Sequence, residues 1–410
     1  MTSSAVFAAS LSALDRRRSV TVERLAARFR EPLERIASGA ADRDRDRRHP
    51  FDEVRALAES GFTTLRVPEE FGGIDVTLPD FFDLLTDLGA ADANVPNILR
   101  GHFSFIEILR QTPDSPERRH WFREIARGQV FGNGQTEPAP GPNAVPRATV
   151  TRTAEGWVVR GTKIYASGAL YADGIRTSVI GPDGELYWAI VPAGSPLVER
   201  YDDWDGFGQR LSASGTTVYR DAPVDDIGVF RLGHGTRQHQ TSTQIVHLAT
   251  LAGIARRIRD DALEVLTSRT RTSFHGLDPE PRHDPLLLGV LGDLARRATT
   301  ADLLAHATAE RLEATNRHHG LPDEAEAYAK CYLFTSLAQT QIIDDVLHAA
   351  TRLFDLGGSS TVSEAKNLDR HWRNARTIAS HNPVVYKDQV VGDFLANGVL
   401  PGGFWDDRKP

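Results

Sequence analysis

The chain has 410 residues, of which 40% are hydrophobic and 25% are charged, a composition typical of globular proteins and unlike that of disordered or fibrous chains. Its formal net charge of -7 leaves no excess of cationic side chains for a phosphate backbone, so we expect no nucleic-acid partner. The single cysteine, Cys331, cannot form an intramolecular disulfide and excludes a cysteine-rich zinc site. A cytoplasmic location and small-molecule chemistry are therefore expected.

Apolar residues recur at helical spacing up to about residue 127, and Gly61 is predicted to end a helix. Pro68 and the glycine pair Gly72-Gly73 then predict a turn. No run of about eighteen apolar residues is free of charge, so we expect no membrane-spanning helix. Residues 1–130 are predicted to form an N-terminal helical domain.

The period changes to that of strands after residue 130. Residues 148–153 and 157–160 flank a turn at Gly156 and are predicted to form a hairpin. Residues 175–180 and 186–191 are predicted to form two further strands. We expect a central β-barrel-like domain over residues 131–235 and, where helical spacing returns, a C-terminal helical bundle over residues 236–410. The predicted fold class is α+β, mainly α.

The common catalytic motifs are missing from the sequence. It has no Walker A loop, no dinucleotide-binding glycine motif and no G-x-S-x-G nucleophile elbow. His234, His239 and His247 lie close in sequence, but their spacing fits no helical metal-binding pair. A solvated loop is the favoured interpretation for these histidines, and no metal is expected.

Several motifs, spread over nearly the whole chain, resemble those of the acyl-CoA dehydrogenase family. They are the turn at residues 65–73 (LRVPEEFGG), residues 136–138 (TEP), residues 161–169 (GTKIYASGA) and residues 271–274 (RTSF). The resemblance implies an acyl-CoA dehydrogenase-like fold with a C-terminal four-helix bundle, a flavin cofactor and a homotetramer, or dimer of dimers. The residues that it assigns to the cofactor are Thr136, Ser167, Trp204, Arg271, Phe274, Gly357 and Gly358.

A dehydrogenase of this family needs a carboxylate base to remove the α-proton of a thioester. No Asp or Glu occurs in residues 373–387 or 227–259, the two segments where the resemblance places that base. The segments around Trp204 and His381 instead resemble reduced-flavin-dependent monooxygenases that share this fold, a group that includes dibenzothiophene monooxygenases and amine or amino-sugar N-oxygenases.

Resemblance to that group implies a two-component enzyme. A separate NAD(P)H flavin reductase supplies reduced FMN, O2 forms a flavin C4a-hydroperoxide, and one oxygen atom passes to nitrogen or sulfur of a small molecule. FAD is possible in place of FMN. The alternatives are an acyl-CoA dehydrogenase with a displaced base, an aromatic C-hydroxylase and a non-enzymatic flavin-binding subunit.

Four residues are the candidate catalytic groups. His381 can donate to a peroxide and protonate the departing oxygen, because the ordinary pKa of imidazole is close to working pH. His102 matches a position where sulfur-oxidising members carry a histidine, with a core histidine bonded to backbone as the alternative. Asn133 and Ser167 map to positions near the flavin, where an amide or hydroxyl can stabilise the peroxide.

Three of the cofactor residues have specific roles and alternatives. Trp204 offers an apolar wall for flavin or substrate, or else is a core aromatic. Arg271 would pair with the FMN phosphate, or else is a surface ion-pair residue. Gly357 and Gly358 would approach a phosphate in an adjacent subunit, or else end a helix.

The substrate class stays open at this point. Ile378 stands where sulfur-oxidising relatives often have a second histidine, which favours amine oxygenation. Asp92 and Glu107 are acidic residues that could hold an ammonium group if the fold brought them to the site.

Overall fold

The computed structural model describes residues 16–138, 147–231 and 237–402, with the backbone alone for residues 237–240. Its N-terminal part is helical, as predicted. Gly61 ends the second helix with φ of 87°, and Gly72 has φ of 94° in the turn at residues 67–73. The helices are α1 Val20–Asp46, α2 Phe51–Ser60, α3 Leu78–Ala91, α4 Asn94–Gln111 and α5 Pro116–Ala126.

All strands of the described residues lie in one sheet, with the order β6-β7-β3-β2-β4-β5-β8 and β1 parallel to β4. The predicted hairpin is confirmed, because β2 and β3 pair antiparallel around the turn at Gly156. The two further predicted strands are present as β4 and β5, which also pair antiparallel. The strands are β1 Phe131–Gly134, β2 Thr149–Thr153, β3 Gly156–Lys163, β4 Gly174–Ile180, β5 Leu186–Pro192, β6 Val198–Arg200, β7 Thr217–Val224 and β8 Val229–Arg231.

Helices return after the sheet, which confirms the predicted order of helices, sheet and helices. Three long helices pack through alanine, leucine and isoleucine side chains into a second hydrophobic core. None of the helices in the described ranges is long and apolar enough to cross a membrane. The helices are α6 Arg237–Ser268, α7 Pro285–Thr315, α8 Glu324–Arg352, α9 Arg370–Ala379 and α10 Val385–Asn397.

Two glycines allow α4 to lie directly against the sheet. A Cβ at Gly101 would lie 2.8 Å from the Cβ of Asn133 on β1. A Cβ at Gly168, in the turn after β3, would lie 2.3 Å from the carbonyl oxygen of Ile98. Helix α4 also packs against α6. The strand ends of β1 and β3 therefore meet the helical layer at α4.

Candidate active site

A chain of hydroxyl groups lies at the turn after β3. The Oγ atoms of Ser167 and Ser214 are 2.7 Å apart, and that of Ser214 is 2.8 Å from the Oγ of Ser212. The N–H of Gly168, which has φ of 78°, donates to the carbonyl of Ser212 at 3.0 Å. The predicted site residue Ser167 is thus held beside a second segment, residues 203–216, which carries Trp204.

The segment at residues 203–216, here called the Trp204 loop, is closed by its own side chains. The carboxylate of Asp203 accepts from the N–H and the hydroxyl of Thr216, both at 2.7 Å. The half-buried indole of Trp204 donates its N–H to the carbonyl of Gly208 at 3.1 Å, and a Cβ at Gly206 would lie 2.1 Å from the ring. Glycine at that position is required for the indole to lie flat on the loop.

Helix α9 holds the Trp204 loop from the other side. Asn374 accepts from the backbone N–H of Gln209 at 2.6 Å, and Arg373 donates to the carbonyl of Phe207 at 3.2 Å. The Gln209 side chain accepts from Asn97 on α4 at 3.2 Å. Arg373 and Asn374 therefore position the loop that carries Trp204.

His381 lies in the turn between α9 and α10. Its ring faces that of His247 on α6, with 4.6 Å between the centroids. His247 is buried, and neither of its ring nitrogens has a hydrogen-bond partner among the described residues. The expectation that His247 lies in a solvated loop is therefore wrong. His234 and the side chain of His239 lie outside the described residues.

Both histidines of this pair are held in the neutral form. Desolvation lowers the pKa of His381 to about 3, and the charge of Arg100 contributes to the shift. The pKa of His247 is lowered for the same reasons and by the proximity of His381. His381 keeps accessible surface, so water that reaches its ring reduces the size of the shift but not its sign. The direction of this shift differs from the expectation that His381 titrates near working pH, because it favours the neutral ring.

His102 is fully buried and bonded to the backbone on both sides of its ring. Nδ1 accepts from the N–H of Phe131 at 3.2 Å, so Nε2 carries the proton and donates to the carbonyl of Thr63 at 2.9 Å. Desolvation lowers the pKa of His102 to about 4. These contacts match the structural alternative considered for His102 and leave no ring nitrogen for a ligand.

Asn133 and Thr136 lie along β1 and the residues that follow it. The backbone N–H of Asn133 donates to the carbonyl of Ser167 at 3.4 Å, and its side-chain oxygen accepts from Arg176 at 3.1 Å. Thr136 is exposed, and its carbonyl accepts from the N–H of Ile164 at 2.8 Å. The structure thus brings Asn133, Ser167 and the Trp204 loop into one network.

The remaining predicted residues lie elsewhere on the chain. Arg271 and Phe274 are exposed just beyond the end of α6, and Arg269 donates to the carbonyl of Leu356 at 2.6 Å, next to Gly357 and Gly358. The rise of a helix separates His247 from the end of α6 by about 30 Å. These four residues therefore form a second cluster that cannot share one FMN with His247 in the same chain.

Sequence reasoning missed three residues of the first cluster. The sequence analysis assigns no role to Ser214 and places His247 in a loop. Arg100 on α4 was not considered, although in the described structure its side chain forms no ion pair or hydrogen bond. The residues one helical turn away from Arg100 are all uncharged, which is the local signal that could have identified it: Pro96, Asn97, Phe103 and Ser104.

These groups fit a flavin in their chemistry. The hydroxyls of Ser167 and Ser214 at a strand end can bond the polar edge of a ring system, and the indole of Trp204 offers a flat apolar surface. The unpartnered nitrogens of His247 are the mark of a site completed by a ligand, since buried polar atoms are otherwise bonded. Among the described residues no group of three potential metal ligands occurs.

Comparisons with known proteins support this assignment. The probable FMNH2-dependent monooxygenase SfnC of Pseudomonas putida is 25% identical, over 91% of this chain and 94% of its own. L-evernosamine nitrososynthase of a Micromonospora species is 29% identical, over 90% of this chain and 88% of its own. The crystal structure of dibenzothiophene monooxygenase TdsC from Paenibacillus sp. A11-2 superposes with a TM-score of 0.82 at 24% identity, over 93% of this chain and 98% of that one.

Two family models also match, and they confirm the expected fold class. The description of one is Acyl-CoA dehydrogenase, N-terminal domain, over residues 21–129, and that of the other is Acyl-CoA dehydrogenase, C-terminal domain, over residues 245–386. Together they span more than half of the sequence and include the motifs at residues 65–73 and 271–274. The chain therefore belongs to the acyl-CoA dehydrogenase family.

Proposed function

We propose that this protein is a reduced-flavin-dependent monooxygenase that transfers one oxygen atom of O2 to nitrogen or sulfur of a small molecule. The observation that carries the proposal is the facing pair of neutral histidines, His247 and His381, on elements that pack around the flavin-binding groups. SfnC, a relative at 25% identity, is named for its use of FMNH2, which supports FMN as the cofactor and a separate NAD(P)H flavin reductase as partner.

When bound, reduced FMN supplies the two electrons that convert O2 and substrate into oxygenated product and water. Ser167 and Ser214 would hold its polar edge, Trp204 would cover one face of the ring system, and Thr136 lies at the neighbouring strand end. Asn133, fixed by Arg176, would offer its side-chain amide N–H₂.

His381 has a specific task in this proposal. As a neutral imidazole it donates one N–H and accepts at the other nitrogen, so it can hold a proton at the reacting oxygen without adding charge. His247 beside it has two unpartnered ring nitrogens and can bond substrate or relay the same proton. His102 is a positioning residue, since both its nitrogens are bonded to backbone.

The dehydrogenase alternative needs a carboxylate base at the site. No Asp or Glu occurs in residues 227–259, which include the part of α6 that carries His247, or in residues 373–387, which include His381. Oxygenation needs hydrogen-bond donors and exclusion of water rather than a base, and the donors are present. Oxygenation of an aromatic carbon remains the second candidate, since it would use the same groups.

A homotetramer belongs to the same proposal. Phe274 is 98% exposed, and Arg271 beside it is exposed as well, about 30 Å along α6 from His247. In the tetramer, four residues of one chain would reach the phosphate end of the FMN bound by a neighbouring chain: Arg271, Phe274, Gly357 and Gly358. We also propose a cytoplasmic location, which fits the free and buried Cys331.

The test is to mix the protein anaerobically with reduced FMN, add O2 and follow flavin absorbance. We expect bound flavin to reoxidise more slowly than free reduced FMN, and ¹⁸O₂ to label the product in a screen of amines and sulfides. Reoxidation as fast as that of free flavin, together with bleaching of bound FAD by an acyl-CoA, would instead identify a dehydrogenase.

A further inference from the structure

Arg100 is a cation without a counter-charge at the candidate site. It lies on α4, half-buried, and its Nε is buried without a hydrogen-bond partner. Among the described residues it forms no ion pair. Helix α4, which carries Arg100, packs against α6, which carries His247, and the charge of Arg100 contributes to the lowered pKa of both His247 and His381.

A second guanidinium lies on the same side of α4. Arg176 on β4 donates to Ser104, one helical turn from Arg100, and to Asn133, both at 3.1 Å. Its cation lies 4.2 Å from the centroid of the Trp188 ring, and its Nε and Nη1 have no hydrogen-bond partner. Burial, and then the charge of Arg100, lower the pKa of Arg176 to about 9, so it remains charged at neutral pH.

The nearby carboxylates do not balance these two cations. Three acidic side chains on or next to α4 and β1 each have a basic partner of their own. The pairs are Glu107 with Arg66 at 2.7 Å, Asp92 with Arg43 at 3.0 Å, and Glu137 with Lys163 at 2.5 Å. Asp92 and Glu107, considered in the sequence as partners of an ammonium group, are therefore already neutralised.

Two partly or fully buried cations without an anion are costly, because charge is stable in a protein interior only when it is paired. Arg176 is stabilised by the Trp188 ring and by two hydrogen-bond acceptors, whereas Arg100 has neither. A ligand that brought a negative charge would complete this arrangement. The guanidinium of Arg100 offers a planar fork of donors that matches the two oxygens of an oxyanion.

We propose that the substrate carries an oxyanion group, such as a carboxylate, sulfinate or sulfonate, and that Arg100 binds this group. The inference rests on the monooxygenase function proposed above and names the substrate class of the same site. Arg176, which donates to Ser104 one helical turn from Arg100, adds a second positive charge near this site. An ammonium group would be repelled by both cations, so an amine substrate would bind here as the neutral amine.

The test uses matched pairs of an anion and a neutral molecule of similar shape: methanesulfinate with dimethyl sulfoxide, benzenesulfinate with methyl phenyl sulfoxide, and benzoate with benzamide. Each is titrated calorimetrically into the FMN-loaded protein. We expect at least one anion to bind roughly tenfold more tightly than its neutral partner, because a charge-assisted bond replaces a neutral one. Arg100→Gln should weaken the binding of that anion by roughly 10- to 100-fold and should change the FMN affinity by less than about threefold.

Arg110→Gln is the matched control, because Arg110 lies on the same helix in a surface ion pair with Asp75. It should leave anion binding unchanged. Binding of no anion, equal binding of both members of every pair, or an unchanged anion affinity in Arg100→Gln would overturn the inference. Loss of FMN binding in that variant, without loss of anion binding, would assign Arg100 to the cofactor.

Repeating the titrations without flavin separates the two proposals. If the wild-type protein binds no FMN but still binds the anions through Arg100, the monooxygenase proposal fails and the oxyanion site stands. If FMN binds and no anion does, the oxyanion site fails and the monooxygenase proposal stands.

Discussion

His247 and His381 lie 134 residues apart in sequence, yet their rings face each other with 4.6 Å between centroids and a tilt of 52°. The contact between these two rings connects the long helix α6 with the turn between the short helices α9 and α10. His247 is buried, whereas His381 keeps accessible surface, and desolvation together with the charge of Arg100 lowers the pKa of both rings. The site therefore offers polar groups that exchange hydrogen bonds without acquiring charge.

Replacing His381 with alanine tests its role as a neutral hydrogen-bond donor. We expect product formation to fall by roughly 10²- to 10³-fold, the usual cost of removing one preorganised donor, with little change in FMN affinity. Product per reduced FMN consumed and FMN binding are the two measurements. His318→Ala, at an exposed histidine between α7 and α8, is the control. Full product yield in His381→Ala would remove the assigned role.

A different result is expected for His102. Replacing it with glutamine leaves the Thr63 carbonyl or the Phe131 N–H without a good partner, which costs about 1–3 kcal/mol of unfolding free energy. Product formation per folded molecule should change little. Urea unfolding at pH 7 gives the first quantity and product formation the second. A large loss of turnover at unchanged stability would return His102 to the catalytic group.

The lowered pKa of His102 also predicts acid sensitivity. The folded state keeps the ring neutral down to about pH 4, whereas the unfolded chain takes up its proton near pH 6.5. Below that pH the unfolded state binds more protons, so stability falls as pH decreases, by about 1.4 kcal/mol per unit for this residue. His102→Gln should lose less unfolding free energy than wild type between pH 6.5 and 5. Equal losses in both proteins would contradict the prediction.

The elements were predictable because their signals are local. Gly61, Gly156 and Gly184 mark turns by their own backbone freedom, and hydrophobic spacing distinguishes helix from strand within about a dozen residues. His247 was misassigned because residues 238–244 are all polar and hide the start of α6. The unbalanced charge of Arg100 depends on how acidic residues of other elements are paired, which no single segment reveals.

Asn374 provides a test of the Trp204 loop without touching Trp204. Its side chain accepts from the N–H of Gln209 at 2.6 Å, so Asn374→Ala leaves a buried donor without its partner. We expect FMN affinity to fall by roughly three- to tenfold, because a bond worth about 1 kcal/mol no longer holds the loop. Turnover at saturating FMN should be kept. Asn374→Asp retains the acceptor and should restore affinity, and equal affinity in all three proteins would show that the loop holds its shape unaided.

Phe274 tests the proposed assembly, because an aromatic ring that is 98% exposed on one chain is expected to be covered by another. Phe274→Glu replaces apolar burial worth about 1.5–3 kcal/mol per chain with a charge. Light scattering after size-exclusion chromatography should show a smaller species than wild type, and FMN affinity should fall because Arg271 no longer reaches a neighbour's cofactor. Leu321→Glu, at another exposed apolar residue, should alter neither. A Phe274→Glu protein that stays tetrameric would place the interface elsewhere, and a wild-type monomer with full FMN affinity would show that the phosphate is held within one chain.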